Sequence, residues 1–488
     1  MSYGHADKIA AIVAGTPAAG GEKPASPIDP ALYDPPEVRR ILAERDIGGL
    51  YRALHDTGVP QRRIAELTGQ SQSEVSEILK GRRVLSYDLL VRITEGLAIP
   101  PERMGLSWWG PDGTHAGPSG AYGGGGGGEV TVADPSEGVD EDMLRRQAIE
   151  LGAALAVGAP AAKLAQLLER LELPDPSPVP LPSRLGTVHV AKVRDLTRRL
   201  DEAASTPSGS DPEVSTAAAA WAQRLLDVSG TETVQRALMV AIAELHAVAG
   251  WAGFHAGLYD RAMVHYAHVL KLATQAGDAY CQALALNNAG LITVEHGRPN
   301  DGLKLLQCGA VKARDIPAEE QRAVVIGESG NAAMQAQALA DEATALSRLD
   351  YPEATQAADT ALTKARELWQ PTPADPYGDL DRPAAVLELE RGRLDAAEPF
   401  AVASLRRWEG GRQVSRTQSA IVLATIHVRA GEPRGLQLAH SAITSAGKLT
   451  SVRVRQRLEP LSAALETRRG SDAEQLARMA RQVATTRA

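Results

Sequence analysis

The sequence predicts an all-α protein in two parts: a small helical unit and a long array of helical pairs, joined by a glycine-rich linker. Three observations predict it. Aromatic residues are scarce (2 Phe, 6 Trp and 10 Tyr in 488 residues), so a large core must be built from small aliphatic side chains. That disfavours sandwiches and barrels. Ten glycines fall within Gly110–Gly128, a composition that holds a fixed backbone only at high entropic cost. From Asp140 onward nearly every segment reads as an amphipathic helix, with short Gly-, Pro- and Asp-rich breaks between them.

The formal net charge is −8, so the chain is no basic nucleic-acid coat, although one basic face is compatible with it. Cys281 and Cys308 lie in no CxxC or Cys/His pattern. A disulfide framework or zinc ribbon is thereby excluded, and a reducing compartment fits. The most apolar stretch, Ala237–Leu258, is interrupted by Glu244, His246 and His255, which argues against a membrane span. The N-terminus has too little apolar length for a signal peptide. A cytoplasmic protein without a membrane partner is expected.

In chain order, residues 1–36 are Ala-, Pro- and Gly-rich and read as a disordered arm. Residues 37–109 form a compact, well-patterned unit, and 110–138 form the flexible linker. Residues 139–230 supply the first helices of the repeat region, and 231–488 the repeats themselves. A flexible linker of this length reaches on the order of 30 Å, so the units on either side are expected to be uncoupled.

The most specific motif is QRRIAELTGQSQSEVSEILKGRR, Gln61–Arg83. Ala65 is small where a second helix crosses. Gly69 supplies the positive φ that ends the first helix. Ser71 and Glu74 form a capping box for the second helix. Val75 and Ile78, three apart, bury against Ile64 and Leu67. Ile47, Leu50 and Leu54 before the motif, and Leu89, Leu90, Ile93 and Leu97 after it, complete a core.

Asp46–Leu106 resembles the lambda-repressor/Cro type of helix-turn-helix, the XRE family. In that family the second helix enters the major groove with its N-terminal residues against base edges. The resemblance implies Gln72 and Ser73 as base readers, Ser76, Glu77 and Lys80 on the same outward face, and Gln61 on phosphate. Arg62, Arg63, Arg82 and Arg83 become the flanking phosphate contacts. Gln72 can bond an adenine through two hydrogen bonds. With 11 Lys/Arg against 10 Asp/Glu between Glu37 and Leu106, one copy binds double-stranded DNA weakly. A homodimer on a palindrome is therefore expected. Val452, Leu458, Leu461, Leu465, Leu476 and Met479 in the C-terminal helices either supply its contacts or only cap the repeat array.

Self-comparison of the remaining chain finds five segments with a helix, a turn and a second helix carrying a small residue. Their turn positions are Gly257, Gly297, Leu349, Gly392 and Gly431, recurring every 39–52 residues. Gly250, Gly257, Tyr259, Ala262, Tyr266 and Leu270 in the first segment resemble the tetratricopeptide repeat, as do Gly392, Leu394, Ala397 and Leu405 in the fourth. Pro299 and Pro433, and Gly302 and Leu436, depart from it. The whole layout resembles actinobacterial regulators and the peptide-pheromone receptors of Gram-positive bacteria. In those receptors the concave repeat surface holds a peptide. The resemblance implies a groove lined by Glu244, Trp251, Phe254, His255, Asn287, Leu291, Val294, Glu295, Arg382 and Arg429, open to a peptide, small-molecule or protein ligand.

His246, His255, His265 and His268 crowd one repeat, but no cysteine or tight carboxylate completes a metal set, so packing or groove roles are read for them. GxxxxGK[ST] and HExxH are absent, and GESG at 327–330 is no nucleophile elbow. No enzyme activity, cofactor or metal is expected. The sequence points to a dimeric, DNA-binding transcriptional regulator with a signal-receiving repeat region. The alternative is a repeat-based interaction scaffold whose helix-turn-helix docks a partner.

Overall fold

The computed structural model describes residues 28, 30–85, 87–104, 181–204, 211–317, 331–349, 351–370, 378–409 and 412–485. Among these residues every regular element is helical, in line with the all-α expectation. The glycine linker, most of the N-terminal arm, Trp108–Trp109, the helices expected over 139–180 and the GESG segment lie outside the described residues.

The first unit comprises α1 (Pro36–Ala43), α2 (Ile47–Asp56), α3 (Gln61–Thr68), α4 (Gln72–Leu79) and α5 (Tyr87–Gly96). Ile47, Leu50, Tyr51, Leu54, Ile64, Val75, Ile78, Leu90, Ile93 and Leu97 are buried together. Gly69, at φ +63°, closes α3 in the left-handed conformation that side chains disfavour. The Ser71 hydroxyl accepts from the Glu74 amide at 3.2 Å while the Glu74 carboxylate accepts from the Ser71 amide at 2.7 Å. Both halves of the capping box are thus made. Gly96 lets α5 lie directly on α3, since a Cβ there would enter the Leu67 carbonyl.

The arm expected over residues 1–36 is too long at its C-terminal end. Ile28 and Tyr33 belong to this core, and the Tyr33 hydroxyl donates to the Leu97 carbonyl at 2.7 Å. One ring and one branched side chain supply the apolar area that a composition count over the Pro- and Gly-rich segment dilutes.

In the second region α6 (Thr187–Ala204) and α7 (Pro212–Gln223) pack on α8 (Glu232–His255). Five helical pairs then follow: α8 with α9 (Tyr259–Ala276), α10 (Ala279–Glu295) with α11 (Pro299–Arg314), α12 (Asn331–Ser347) with α13 (Pro352–Leu368), α14 (Asp381–Glu390) with α15 (Leu394–Arg407), and α16 (Gln413–Arg429) with α17 (Pro433–Gly447). Gly257, Gly297, Gly392 and Gly431 turn four of the pairs at φ +72° to +79°. Successive first helices, α8, α10, α12, α14 and α16, pack on one another and form the inner row. Helix α8 is long and apolar enough to cross a membrane, but 83% of its apolar window is buried inside the molecule.

Helices α18 (Val452–Gln456), α19 (Glu459–Glu466) and α20 (Ser471–Thr485) end the chain. The dimer surface sought in this segment is not available. Leu458, Leu461, Leu465 and Leu476 are buried in a core shared with α16 and α17. Helix α18 instead returns to α8. There Val452 sits where a Cβ on Gly257 would lie, 3.0 Å from its Cγ1, and the Tyr259 hydroxyl donates to Gln456 at 2.6 Å. The inner row is bridged from its last pair back to its first.

The two regions also touch, against the expectation that the linker leaves them uncoupled. Arg45, left-handed at φ +54°, donates through Nε to the Met104 carbonyl and through Nη1 to Gln307 Oε1 at 2.6 Å. Lys304 Nζ donates to the Ala43 carbonyl at 2.8 Å. Arg83 lies 4.4 Å over the Tyr351 ring, and Leu85 packs on the core beneath α12 and α13.

Candidate functional site

The bridge made by α18 walls a cavity of about 210 Å3 against the inner row. Its centre is charged. Glu295, at the end of α10, receives both Nε and Nη2 of Arg453 (2.9 and 2.6 Å) and Nη2 of Arg457 at 2.5 Å. Burial opposes ionisation of Glu295, but the two guanidinium groups override it and hold its carboxyl far below the usual range. Arg453 also lies 4.2 Å over the Phe254 ring. His255 Nδ1 meets the Ser451 hydroxyl at 2.8 Å, and burial beside Arg453 keeps its ring neutral.

The opposite wall comes from α14, α16 and the segment before α14. Asp379 accepts from the Ser404 hydroxyl (2.6 Å), Trp408 Nε1 (3.1 Å) and the Arg382 amide (3.0 Å). Arg382 Nη1 donates to Gln418 Oε1 at 2.7 Å. Gln418 is only 4% exposed, and its Nε2 has no hydrogen-bond partner among the described residues. Between the two walls Asp341 accepts from Gln337 at 3.3 Å, and burial pushes its carboxyl up to about 6.

Of the groove residues expected from sequence, Trp251, His255, Asn287, Leu291, Glu295 and Arg382 line this cavity. Phe254 and Val294 are core residues. Glu244 is 2% exposed and pairs with Arg194 at 3.7 Å. Arg429 lies on the outside, donating to the Leu389 carbonyl. Asn287 does not present its amide to the cavity as a clamp. Its Nδ2 points to the Met334 carbonyl at 3.5 Å, and its Oδ1 occupies the space that a side chain on Gly309 would need. It ties α10 to α11 and α12. Sequence reasoning missed Asp341, Asp379, Gln418, Arg453 and Arg457. The signal for the last two was Val452-Arg453-Val454-Arg455-Gln456-Arg457, where arginines alternating with valines on one short helix bring charge toward an apolar face that must offer it acceptors.

In the first unit Gln72 and Ser73 are exposed at the start of α4, while Gln61 and Ser76 are half-buried. Glu77 and Lys80 are exposed, and Glu77 pairs with Arg82 at 2.8 Å, which neutralises the acid that would face phosphate. Arg62 is 83% exposed and pairs with Glu66 at 3.1 Å. Arg63 reaches the same carboxylate at 3.6 Å. Arg83 is the one of the four flanking arginines that stacks on the second region.

The crowded histidines divide. His255 faces the cavity, whereas His246, His265 and His268 form a buried cluster. His246 and His265 share a 2.9 Å contact, His265 meets Thr216 at 3.1 Å, and His268 meets Gln223 at 2.7 Å. These links join α7, α8 and α9. Burial pushes His265 down to about 4 and His268 to about 3. No protein-family model matches the chain, and no curated protein is significantly similar to it.

Proposed function

We propose that the protein is a double-stranded-DNA-binding transcriptional regulator. In this reading α3 and α4 act as a lambda-repressor-type helix-turn-helix, and the tetratricopeptide-like pairs α8–α17 receive a signal in the cavity that α18 encloses. The observation that carries the DNA reading is the pair α3–α4 itself: a left-handed Gly69, a complete capping box, and Gln72 and Ser73 exposed at the helix start. The exposed Gln72 at a capped helix N-terminus is open to base edges, because the Ser71 and Glu74 side chains already satisfy the backbone, and the Ser73 hydroxyl, which meets Ser71 Oγ at 3.0 Å, keeps a lone pair for a second bond.

The contact between the regions supports coupling without a rigid linker. Arg83 stacked on Tyr351 holds its in-plane N–H groups where the second region sets them, so signal binding that shifts α12 and α13 alters the phosphate contacts the unit can make. The unit is nearly neutral, so two copies on a palindromic site supply the affinity that one lacks.

The engaged Arg83 also favours a second reading, in which the small unit is held on the repeats as part of a protein-interaction scaffold. Two variants separate the readings. Gln72→Ala is expected to cost roughly 1–3 kcal/mol at one base pair and relax preference there. Arg62→Ala is expected to weaken all sequences alike and to reduce the salt slope. Equal, sequence-independent loss in both variants removes Gln72 as a reader. Absence of DNA binding at low salt leaves the scaffold.

A further inference from the structure

We propose that the cavity behind α18 binds a small organic anion, a carboxylate or phosphate ester, through Arg382, Arg457 and the Gln418 amide. The inference deepens the reading that the cavity receives the signal, and rests on it. Arg412 aside, the described residues lining the cavity include four arginines, at 348, 382, 453 and 457, and three carboxylates, Glu295, Asp341 and Asp379. Glu295 is committed to Arg453 and Arg457 together, and Asp379 to the hydroxyl, indole and amide donors around it. Arg382 approaches Asp379 only to 4.0 Å. The arginines of this lining therefore outnumber its carboxylates by one, beside a wall in which Asp379 and Gln418 are buried and incompletely compensated charge is costly.

An independent observation points the same way. Gln418 directs its Oε1 to Arg382 and leaves Nε2, a buried donor, without a partner among the described residues. A buried unsatisfied donor costs free energy, and an acceptor oxygen within reach of both Arg382 and Gln418 removes that cost. A carboxylate or phosphate supplies such oxygens with the charge that the arginines lack. Trp251, Leu291, Met334 and Val386 furnish the apolar remainder of the lining, so the anion is expected to carry an apolar body. Burial lowers the Arg457 guanidinium to about 10, which leaves it cationic at neutral pH.

The test uses the full-length protein in low-chloride buffer, titrated calorimetrically and through tryptophan fluorescence with benzoate, phenyl phosphate and the neutral isostere benzamide. Trp251, Trp369 and Trp408 line the cavity and report its occupancy. At least one anion is expected to bind saturably at one site per chain and raise the melting temperature, with benzamide inert. The preferred arm tells carboxylate from phosphate. Arg382→Gln and Arg457→Gln are each expected to weaken binding about 10- to 100-fold, the loss of a charge-assisted contact. Arg429→Gln, on the outer surface, is expected to bind as the wild type does. A structural role for Arg382 alone predicts a lower melting temperature in Arg382→Gln and unchanged anion binding, and that result overturns the proposal. So does benzamide binding as tightly as benzoate, or no saturable binding of either anion. DNA binding measured without anion is independent of these outcomes, so a failed titration leaves the DNA reading standing, and lost DNA binding leaves the anion site standing.

Discussion

The start of α4 and the cavity behind α18 are built on opposite principles. The first is local. Within Gln61–Arg83 the sequence contains its own turn, its own cap and the exposed side chains that define its surface, and its charges are paired on the outside, as Glu77 with Arg82. The second is assembled. Its central ion cluster joins Glu295 to Arg453 and Arg457 across more than 150 residues of chain, with Arg453 buried and Glu295 and Arg457 half-buried. Exposed pairs of the first kind contribute little to stability. A buried cluster of the second kind becomes a liability as soon as one partner is missing. The difference teaches where substitutions will be felt: as altered recognition in the first region and as altered folding in the second.

The sharpest way to break this comparison is Glu295→Ala. It leaves Arg453 and Arg457 facing each other without a carboxylate, and is expected to destabilise the second region by about 3–5 kcal/mol, seen in calorimetric unfolding. Glu77→Ala, the matching change in the first region, is expected to alter melting by less than about 1 kcal/mol. Similar losses in the two variants would erase the distinction.

Acid gives a smaller effect with a defined sign. His265 and His268 titrate well below their unfolded value because they are buried, so the unfolded chain binds more protons as pH falls through about 6.5. Their neutral-state stability is present near pH 7 and is lost toward pH 4, by on the order of 1–2 kcal/mol for each at pH 5. Asp341, raised by burial to about 6, works in the opposite direction and offsets part of this. A melting temperature that falls from pH 7 to pH 5 is expected, and His268→Gln should flatten the slope.

Tyr351→Ala is expected to give the smallest change. Losing the ring under Arg83 removes about 0.5–1 kcal/mol of docking, which frees the small unit and tightens DNA binding about two- to fivefold. Weaker binding in that variant would mean that the docked arrangement assists recognition.

Legibility in the sequence follows the same division. The α3–α4 turn, the Ser71–Glu74 cap and the turn glycines at 257, 297, 392 and 431 were readable because each depends on neighbours a few residues away. Six cavity residues were reached too, through the resemblance to repeat receptors whose first helices line the groove. What could not be read was the return of α18 to α8. The apolar residues of the C-terminal segment, Leu458, Leu461 and Leu465, have the same pattern whether they cover a second copy or the chain's own last pair, and only the fold shows the latter. Without that return, nothing in the sequence brings Arg453 to Glu295. Tyr33 was hidden for a different reason: a single aromatic in a Pro-rich stretch gives no periodicity, although its ring and hydroxyl are both satisfied in the core.

The central claim, that the small unit reads DNA, is tested most directly by footprinting the full-length protein on fragments selected from a random duplex pool at low salt. The account predicts protection of a pseudo-palindromic site whose half-sites lie about one helical turn apart, each covered by one copy of α4 in the major groove. A uniform cleavage pattern at every protein concentration, with no sequence enriched by selection, would contradict it.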